Sequence, residues 1–360
     1  MTTSIPMTTA SHELLARDGQ LKENWYVACQ SSALSADKPL KRVIYDLPMV
    51  LFRDEQGAAV CLPDRCLHRH SPLSAGKVEC GKIVCPYHGW RYNSKGELDY
   101  IPSEKNVVQQ AGKRVLKPMP VIEQDGFIWV YMGDTAPSPD KKPWRMPYKQ
   151  EEGWRHYVME TEFSNEVLHL VENFMDVPHT VFVHAGWFRN AKEKEVEIEV
   201  ETKDGEVLVT YHLPADQIGF IDKLLNPKGL PLLHTDCFIM PNITRVDYIF
   251  GGVKGFSIDS QCTPVSTLKT FVYTAIIYKI NAFDRFLRPF LNWYTRVVIT
   301  QDVRIMQLQG DNFRYRHQPS FLSGRADIVH HEIEKLRRSG SQSERQFQSI
   351  FGRKTARIWI

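Results

Sequence analysis

Four residues with metal-binding side chains lie in two short segments of the chain. Cys66 and His68 are separated by one residue, and Cys85 and His88 follow after a gap of sixteen residues. Close pairs of thiolates and imidazoles can bind zinc or an iron–sulfur cluster. Zinc sites usually pair cysteine with cysteine and histidine with histidine, whereas each pair here mixes the two. The pattern therefore favours a two-iron cluster in which the cysteines hold one iron and the histidines the other.

A second pair of histidines, His179 and His184, could bind one more metal ion. Five residues of α-helix turn through about 500°, which leaves the two side chains ~140° apart. A regular helix would not direct both at one metal. Either the helix is distorted near Pro178, or one histidine lies beyond its end. The alternative is one histidine in the core and one at the surface.

A carboxylate for this second site is predicted from helix phase. Residues Val298, Asp302, Ile305, Met306 and Gln309 share one face of a helix, so Asp302 lies on a largely apolar stripe. A buried carboxylate needs a partner, and a metal ion is one such partner. Asp311 would lie about 180° around the same helix. The alternative for Asp302 is an ordinary ion pair.

Together these motifs resemble the Rieske non-haem iron oxygenases, in their catalytic component. The resemblance rests on Cys66-x-His68 and Cys85-x-x-His88, with the following Gly-Trp, and on the second histidine pair. It is strongest for the short monooxygenase and demethylase type. It implies a [2Fe-2S] cluster and one mononuclear Fe(II) in each subunit, with His179, His184 and Asp302 as ligands of the second iron.

Two further site residues are implied by the same resemblance. Asp176 matches a bridging acid that accepts hydrogen bonds from His179 and from the cluster ligand His88 of a neighbouring subunit, within a homotrimer. Asn173 matches a residue near the iron. The alternative for Asp176 is a helix N-cap before His179.

The predicted fold is α+β. Residues 24–134 are expected to form an all-β Rieske [2Fe-2S] domain after an N-terminal arm, 1–23. The Pro- and Lys-rich segment 135–147 is the expected linker. Residues 148–360 are expected to form a catalytic domain in which helices cover an antiparallel sheet.

Two segments of the second half have clear periodicity. Residues 194–212 alternate charge with valine or isoleucine, which predicts half-buried strands with a turn at Asp204-Gly205. Residues 282–309 are predicted to be helical, either beginning or kinked at Pro289.

Composition excludes several classes of protein. The 360 residues carry a net charge of +3 without a dense basic run, which argues against nucleic acid. The N-terminus has no apolar core typical of a signal peptide, and no apolar run is long enough to span a membrane. Seven cysteines are too few for a disulfide framework. The expected location is the cytoplasm, and Cys80 is expected to be a small buried residue.

The expected activity is oxygenation. No Gly-x-Gly-x-x-Gly signature for a nicotinamide or flavin cofactor is present, so electrons should come from a separate NAD(P)H-dependent reductase, directly or through a ferredoxin. With O2 they would hydroxylate or oxidatively dealkylate an apolar or aromatic small molecule, as in aromatic catabolism. Three alternatives remain: a dioxygenase or desaturase at the same iron, a Rieske electron carrier with an accessory binding domain, and a zinc-stabilised binding module.

Apolar side chains of the second half are candidates for the substrate cavity. The predicted lining residues are Phe182, Phe220, Leu224, Leu225, Leu232, Leu233, Phe238, Ile239, Tyr248 and Phe250. His234 lies in the same apolar stretch and is a further candidate.

Overall fold

The computed structural model describes residues 21–104, 115–187, 195–212, 226, 229–280, 284–313, 315, 321–340 and 350–359. The chain forms two compact units, divided between Arg145 and Met146. Within the described ranges, no helix is long and apolar enough to cross a membrane.

The N-terminal unit, Lys22–Arg145, contains three small antiparallel sheets. Its strands are β1 (Trp25–Gln30), β2 (Leu40–Ile44), β3 (Leu47–Arg53), β4 (Ala59–Pro63), β5 (Lys77–Glu79), β6 (Lys82–Val84), β7 (Arg91–Tyr92), β8 (Leu98–Tyr100), β9 (Val121–Gln124) and β10 (Phe127–Tyr131). The sheet orders are β1-β10-β9, β2-β3-β4 and β5-β6-β7-β8.

Strand β3 separates two hydrophobic cores of this unit. Met49 and Leu51 pack into one core, whereas Val50 and Phe52 pack into the other. This division follows because successive side chains of a strand point to opposite faces. The second core also contains Cys66 and Cys85, so the segments that carry the predicted cluster ligands are anchored in it.

The C-terminal unit is built on one eight-stranded antiparallel sheet. Its strands are β11 (Arg155–Phe163), β12 (Glu195–Lys203), β13 (Glu206–His212), β14 (Leu232–Ile239), β15 (Ile243–Phe250), β16 (Lys254–Ser266), β17 (Lys269–Lys279) and β18 (Gly352–Trp359). Their order is β11-β17-β16-β15-β14-β13-β12-β18. The predicted turn at Asp204-Gly205 joins β12 to β13, and both of its residues have positive φ.

Helices of the C-terminal unit pack on one face of this sheet. They are α1 (Val167–Met175), α2 (Thr180–Val183), α3 (Asp284–Phe313) and α4 (Ile328–Gly340). Side chains of α1, α3 and α4 share a core with alternating residues of β12 and β13. The predicted α+β class, with an all-β N-terminal part and an antiparallel sheet covered by helices, is confirmed.

Three local expectations need adjustment. Helix α3 begins before Pro289, so the proline lies inside it. Ile305 is 38% exposed and does not share the buried stripe of Asp302 and Met306, since it lies about 100° from Met306 around the helix. Cys80 is exposed rather than buried, because it occupies the turn between β5 and β6 with a positive φ of 47°.

Candidate metal centres and active site

The two loops that carry the predicted cluster ligands have the same backbone hydrogen bonds. In the first loop, the Cys66 amide donates to the carbonyl of Ser71, and the His70 amide donates back to the carbonyl of Cys66. In the second, the Cys85 amide donates to Trp90, and the Gly89 amide donates to Cys85. His70 and Gly89, four residues after each cysteine, both have positive φ. Each loop therefore turns back on itself directly after its cysteine.

Both cysteine thiols are buried and lie close to each other. Burial raises the pKa of the Cys66 thiol, and the neighbouring Cys85 raises it further. Tyr92 OH lies 3.2 Å from Cys66 Sγ, within hydrogen-bond distance, and it also accepts a 3.0 Å hydrogen bond from the Leu67 amide. A buried pair of thiols is stable as thiolates only when a cation or metal compensates their charge.

The imidazoles complete a donor set that fits a [2Fe-2S] cluster. The His68 and His88 rings lie 4.6 Å apart between centroids, and the indole of Trp90 stacks on His68 at the same distance. Nδ1 of His68 is buried and has no hydrogen-bond partner. An unpartnered buried ring nitrogen beside two buried thiols is what a metal site requires of its ligands.

The second histidine pair flanks a helix of one turn. Helix α1 ends at Met175, and Asp176 follows it in an extended conformation. His179 directly precedes α2, and His184 directly follows it. The two histidines are thus at opposite ends of a short helix rather than on one regular face, which resolves the conflict of phase in the sequence.

His179, His184 and Asp302 come together in the C-terminal unit. Their candidate ligand atoms all lie within 4.8 Å of one another. Asp302 Oδ1 is 3.6 Å from Nε2 of His179 and 3.2 Å from Nε2 of His184. Two imidazoles and one carboxylate are the donors of the facial triad that binds non-haem iron.

The electrostatics of this triad reflect its mutual pairing. Burial opposes the charged form of His179, but its hydrogen bonds with Asp176 and Asp302 outweigh burial and raise the pKa to about 9. Burial would raise the pKa of Asp302, but hydrogen bonds with both histidines lower it to about 2. The raised pKa of His179 and the lowered pKa of Asp302 therefore have the same cause, the attraction between the imidazolium and the carboxylate.

Three further residues orient the triad. Asn173 Nδ2 donates to Asp302 Oδ1 at 3.2 Å, and Nδ1 of His184 is 2.8 Å from Gln301 Oε1. Asp176 Oδ2 accepts a 3.2 Å hydrogen bond from the His179 amide, while His179 Nδ1 contacts the Asp176 carbonyl oxygen. Sequence reasoning missed Gln301. It directly precedes Asp302 in α3, but only the tertiary structure brings it to His184.

The triad lies at one side of a cavity of about 740 Å³, a volume that includes space open to solvent. The lining residues are Phe174, Asp176, Val177, His179, Thr180, His184, Asp236, Thr244, Val246, Tyr248, Ile258, Ser260, Thr274, Thr295, Val298, Ile299 and Asp302. Most of this surface is apolar, as the sequence predicts for a substrate site.

The predicted list of lining residues was largely wrong. Of its described members only Tyr248 lines the cavity. Phe182 is 80% exposed on α2, Leu233 and Ile239 point to the opposite face of β14, and Phe238 and Phe250 lie in the core. Phe220, Leu224 and Leu225 lie outside the described residues. His234 is buried but does not line the cavity; its neighbour Asp236 does.

Comparisons with known proteins agree with this arrangement. Residues 24–117 match the Rieske [2Fe-2S] domain, and residues 166–333 match the vanillate O-demethylase oxygenase C-terminal domain. The chain is 37% identical over 172 residues to chlorophyllide a oxygenase of Chlamydomonas reinhardtii, covering 47% of this chain and 25% of that protein. It is 32% identical over 203 residues to the oxygenase component of dicamba O-demethylase of Stenotrophomonas maltophilia, covering 54% and 56%. The chain thus matches about a quarter to a half of the length of these relatives.

Solved structures share the fold. Dicamba monooxygenase bound to 3,6-dichlorosalicylic acid superposes with a TM-score of 0.78 at 23% identity, covering 89% of this chain and 98% of that one. The fold and the two sets of metal-binding side chains together define an iron protein built of two units. The chain belongs to the Rieske non-haem iron oxygenases, with a C-terminal domain of the vanillate O-demethylase type. Its cofactors are a [2Fe-2S] cluster and a mononuclear iron.

Proposed function

We propose that this chain is the oxygenase component of a multicomponent monooxygenase. It would use O2 and electrons from a separate reductase to hydroxylate or oxidatively dealkylate an apolar or aromatic small molecule. The observation that carries this proposal is the triad of His179, His184 and Asp302 beside a largely apolar cavity. When bound, the cluster would supply electrons and the mononuclear iron would supply oxygen activation.

Each site residue has a proposed role. Cys66, His68, Cys85 and His88 hold the cluster, while His179, His184 and Asp302 hold the mononuclear iron. Asn173 orients the Asp302 carboxylate through its amide, and Gln301 fixes the ring of His184. Such outer contacts hold the ligating atoms toward the metal. The apolar side chains of the cavity exclude water from the substrate.

The chain needs partners for this activity. Electrons would come from an NAD(P)H-dependent reductase, directly or through a ferredoxin. His88 is exposed to solvent, and 26% of the side-chain surface of Asp176 is exposed. Both are accessible enough to meet across subunits, which supports the proposal that a homotrimer pairs Asp176 with His88 of a neighbouring subunit.

The domain limits and the location are also proposals. The Rieske domain would occupy residues 24–134 and the catalytic domain 148–360, with 135–147 between them and residues 1–23 as an arm. The cytoplasm is the proposed location.

The deciding experiment measures iron and acid-labile sulfide in anaerobically purified protein, for the wild type and for the Asp302→Asn variant. The expected result is about three irons and two sulfides per chain, with one iron lost and the cluster retained in the variant. A reductase should then support substrate-dependent O2 uptake. If the protein contains two irons and two sulfides per chain, and these numbers do not change on iron reconstitution, the proposal of an oxygenase is refuted. The alternative of a Rieske electron carrier would then remain.

The proposed role of Asp176 has its own test. Asp176→Asn keeps the size of the side chain but removes its charge, so both metals should remain while turnover falls. Unchanged O2-coupled turnover in this variant would contradict the bridging role.

A further inference from the structure

One wall of the cavity is the sheet, and it contains a buried carboxylate outside the metal triad. Asp236 lies on β14, is 1% exposed and lines the cavity. Its Oδ2 accepts a 2.8 Å hydrogen bond from Tyr211 OH, and its Oδ1 lies 3.1 Å from His234 Nε2. An ionised carboxylate can accept about four hydrogen bonds, so these two leave further acceptor capacity.

The groups that hold Asp236 are themselves held by stacked rings. Cross-strand register pairs Tyr211 with His234 and His234 with Tyr248. The His234 ring stacks between the two tyrosines, 4.2 Å from Tyr211 and 4.3 Å from Tyr248. Neither Tyr211 nor His234 lines the cavity. They therefore support Asp236 from outside the cavity and fix the direction of its carboxylate.

Next to Asp236 the same wall presents a row of hydroxyl groups. Thr244, Ser260 and Thr274 are register partners across β15, β16 and β17, and all three are buried and line the cavity. Ser260 Oγ lies 3.3 Å from Thr274 Oγ1. The opposite wall carries the metal triad and, beside it, the apolar side chains of Phe174, Val177, Val298 and Ile299. The sheet thus supplies hydrogen-bonding groups to the cavity in addition to those of the triad.

The charges of the lining favour one class of ligand. Among the described residues that line the cavity there is no lysine or arginine. Asp236 is held by Tyr211 and His234, and its carboxylate oxygens offer hydrogen-bond acceptors to the cavity. An anionic group placed beside it would lose its hydration and meet a like charge.

We propose that the substrate is an aromatic or apolar molecule with a neutral or cationic N–H or O–H donor, which Asp236 binds. Carboxylate-bearing analogues are disfavoured. This inference rests on the proposed function for the presence of a substrate in this cavity, and it adds the polarity of that substrate. Asp236 is a specificity residue here, and the hydroxyl row accommodates polar atoms next to the donor.

The test compares three probes with the same ring and methoxy group. They are para-methoxybenzylamine, para-methoxybenzyl alcohol and para-methoxybenzoate. Dissociation constants are measured by calorimetry on the anaerobic holoprotein, without reductase. The amine and the alcohol should bind about 10- to 100-fold more tightly than the benzoate, as expected for hydrogen bonds to a charged group. Equal or tighter binding of the benzoate would overturn the inference, and so would failure of the amine and the alcohol to bind.

Variants assign the preference to Asp236. Asp236→Asn should weaken amine binding by about tenfold and bring the three affinities closer together. Asp259→Asn is the matched control, because it removes a buried carboxyl from the same sheet on the opposite face and should leave the ranking unchanged. An unchanged ranking in Asp236→Asn would refute the role of Asp236. If that variant does not fold, the wild-type ranking still decides.

The outcome is separable from that of the proposed function. Binding requires neither reductase nor turnover, so the ranking can hold even if no O2 uptake is found. A reversed ranking in a protein that consumes O2 would overturn only the substrate polarity.

Discussion

Replacing Gln301 by alanine should weaken binding of the mononuclear iron and leave the cluster intact. The side-chain oxygen of Gln301 lies 2.8 Å from Nδ1 of His184, which is 3% exposed. This contact makes Nδ1 the protonated nitrogen and leaves Nε2, on the side of Asp302, as the ligand. Alanine at position 301 removes this hydrogen-bond acceptor and leaves the three proposed metal ligands unchanged.

The size of the effect follows from that contact. Loss of an outer hydrogen bond to a ligating histidine typically costs 10- to 100-fold in metal affinity, or roughly 1.4 to 2.8 kcal/mol. Gln301→Glu retains an oxygen that can accept the proton of Nδ1, so it should restore most of the affinity.

Competition with a chelator measures this affinity, and the visible absorbance of the cluster reports that the N-terminal unit is intact. Gln309→Ala is the matched control, because Gln309 lies on the same helix but bonds Asn165 instead. Iron affinity in Gln301→Ala equal to that of the wild type, or an equal loss in Gln309→Ala, would refute this reasoning.

Three further predictions concern other parts of the chain. Tyr92→Phe removes the hydroxyl that lies 3.2 Å from Cys66 Sγ. Loss of a hydrogen bond to the sulfur should lower the reduction potential of the cluster, measured by voltammetry, by tens of millivolts, or about 1 kcal/mol at 59 mV per tenfold change. An unchanged potential would contradict a hydrogen bond to sulfur. Asp302→Asn should release the mononuclear iron, whereas Asp311→Asn on the same helix should retain it, as metal analysis would show; iron retained in both would exclude Asp302 as a ligand. Burial raises the pKa of Asp259 to about 7. Ionisation of this carboxyl therefore lowers the free energy of unfolding as pH rises from about 4 to about 7, by at most ~4 kcal/mol. Asp259→Asn should melt several degrees above the wild type at pH 8 but not at pH 4. A melting difference independent of pH would show that Asp259 does not titrate in this range.

The sequence was most informative where chemistry depends on local spacing. Cys66, His68, Cys85 and His88 could be found because both cysteines and both histidines lie within short loops. Helix phase separated Asp302 from Asp311, and the structure buries Asp302 beside both histidines. The spacing of His179 and His184 correctly implied that no regular helix carries both.

The sequence was least informative where a role depends on which strands are neighbours. Asp236 belongs to the cavity wall because β14 lies beside β15, and its partner Tyr211 comes from β13. Phe238 and Phe250 are as apolar as any lining residue, but they lie in the core. Hydrophobicity predicts burial and does not distinguish a core from a cavity wall.

The position of β18 has a consequence for biosynthesis. This strand completes the sheet edge next to β12, yet it follows every other described strand along the chain. Until β18 leaves the ribosome, β12 has an open edge that could pair with another nascent chain. Glu197 and Glu199 belong to a row of glutamates on β12, and the like charges disfavour pairing between the β12 strands of two chains. In β18, Arg357 forms an ion pair with Glu197 and Arg353 forms one with Glu199. The charge pattern therefore disfavours pairing of β12 with a second copy of itself and favours the chain's own β18 at this edge.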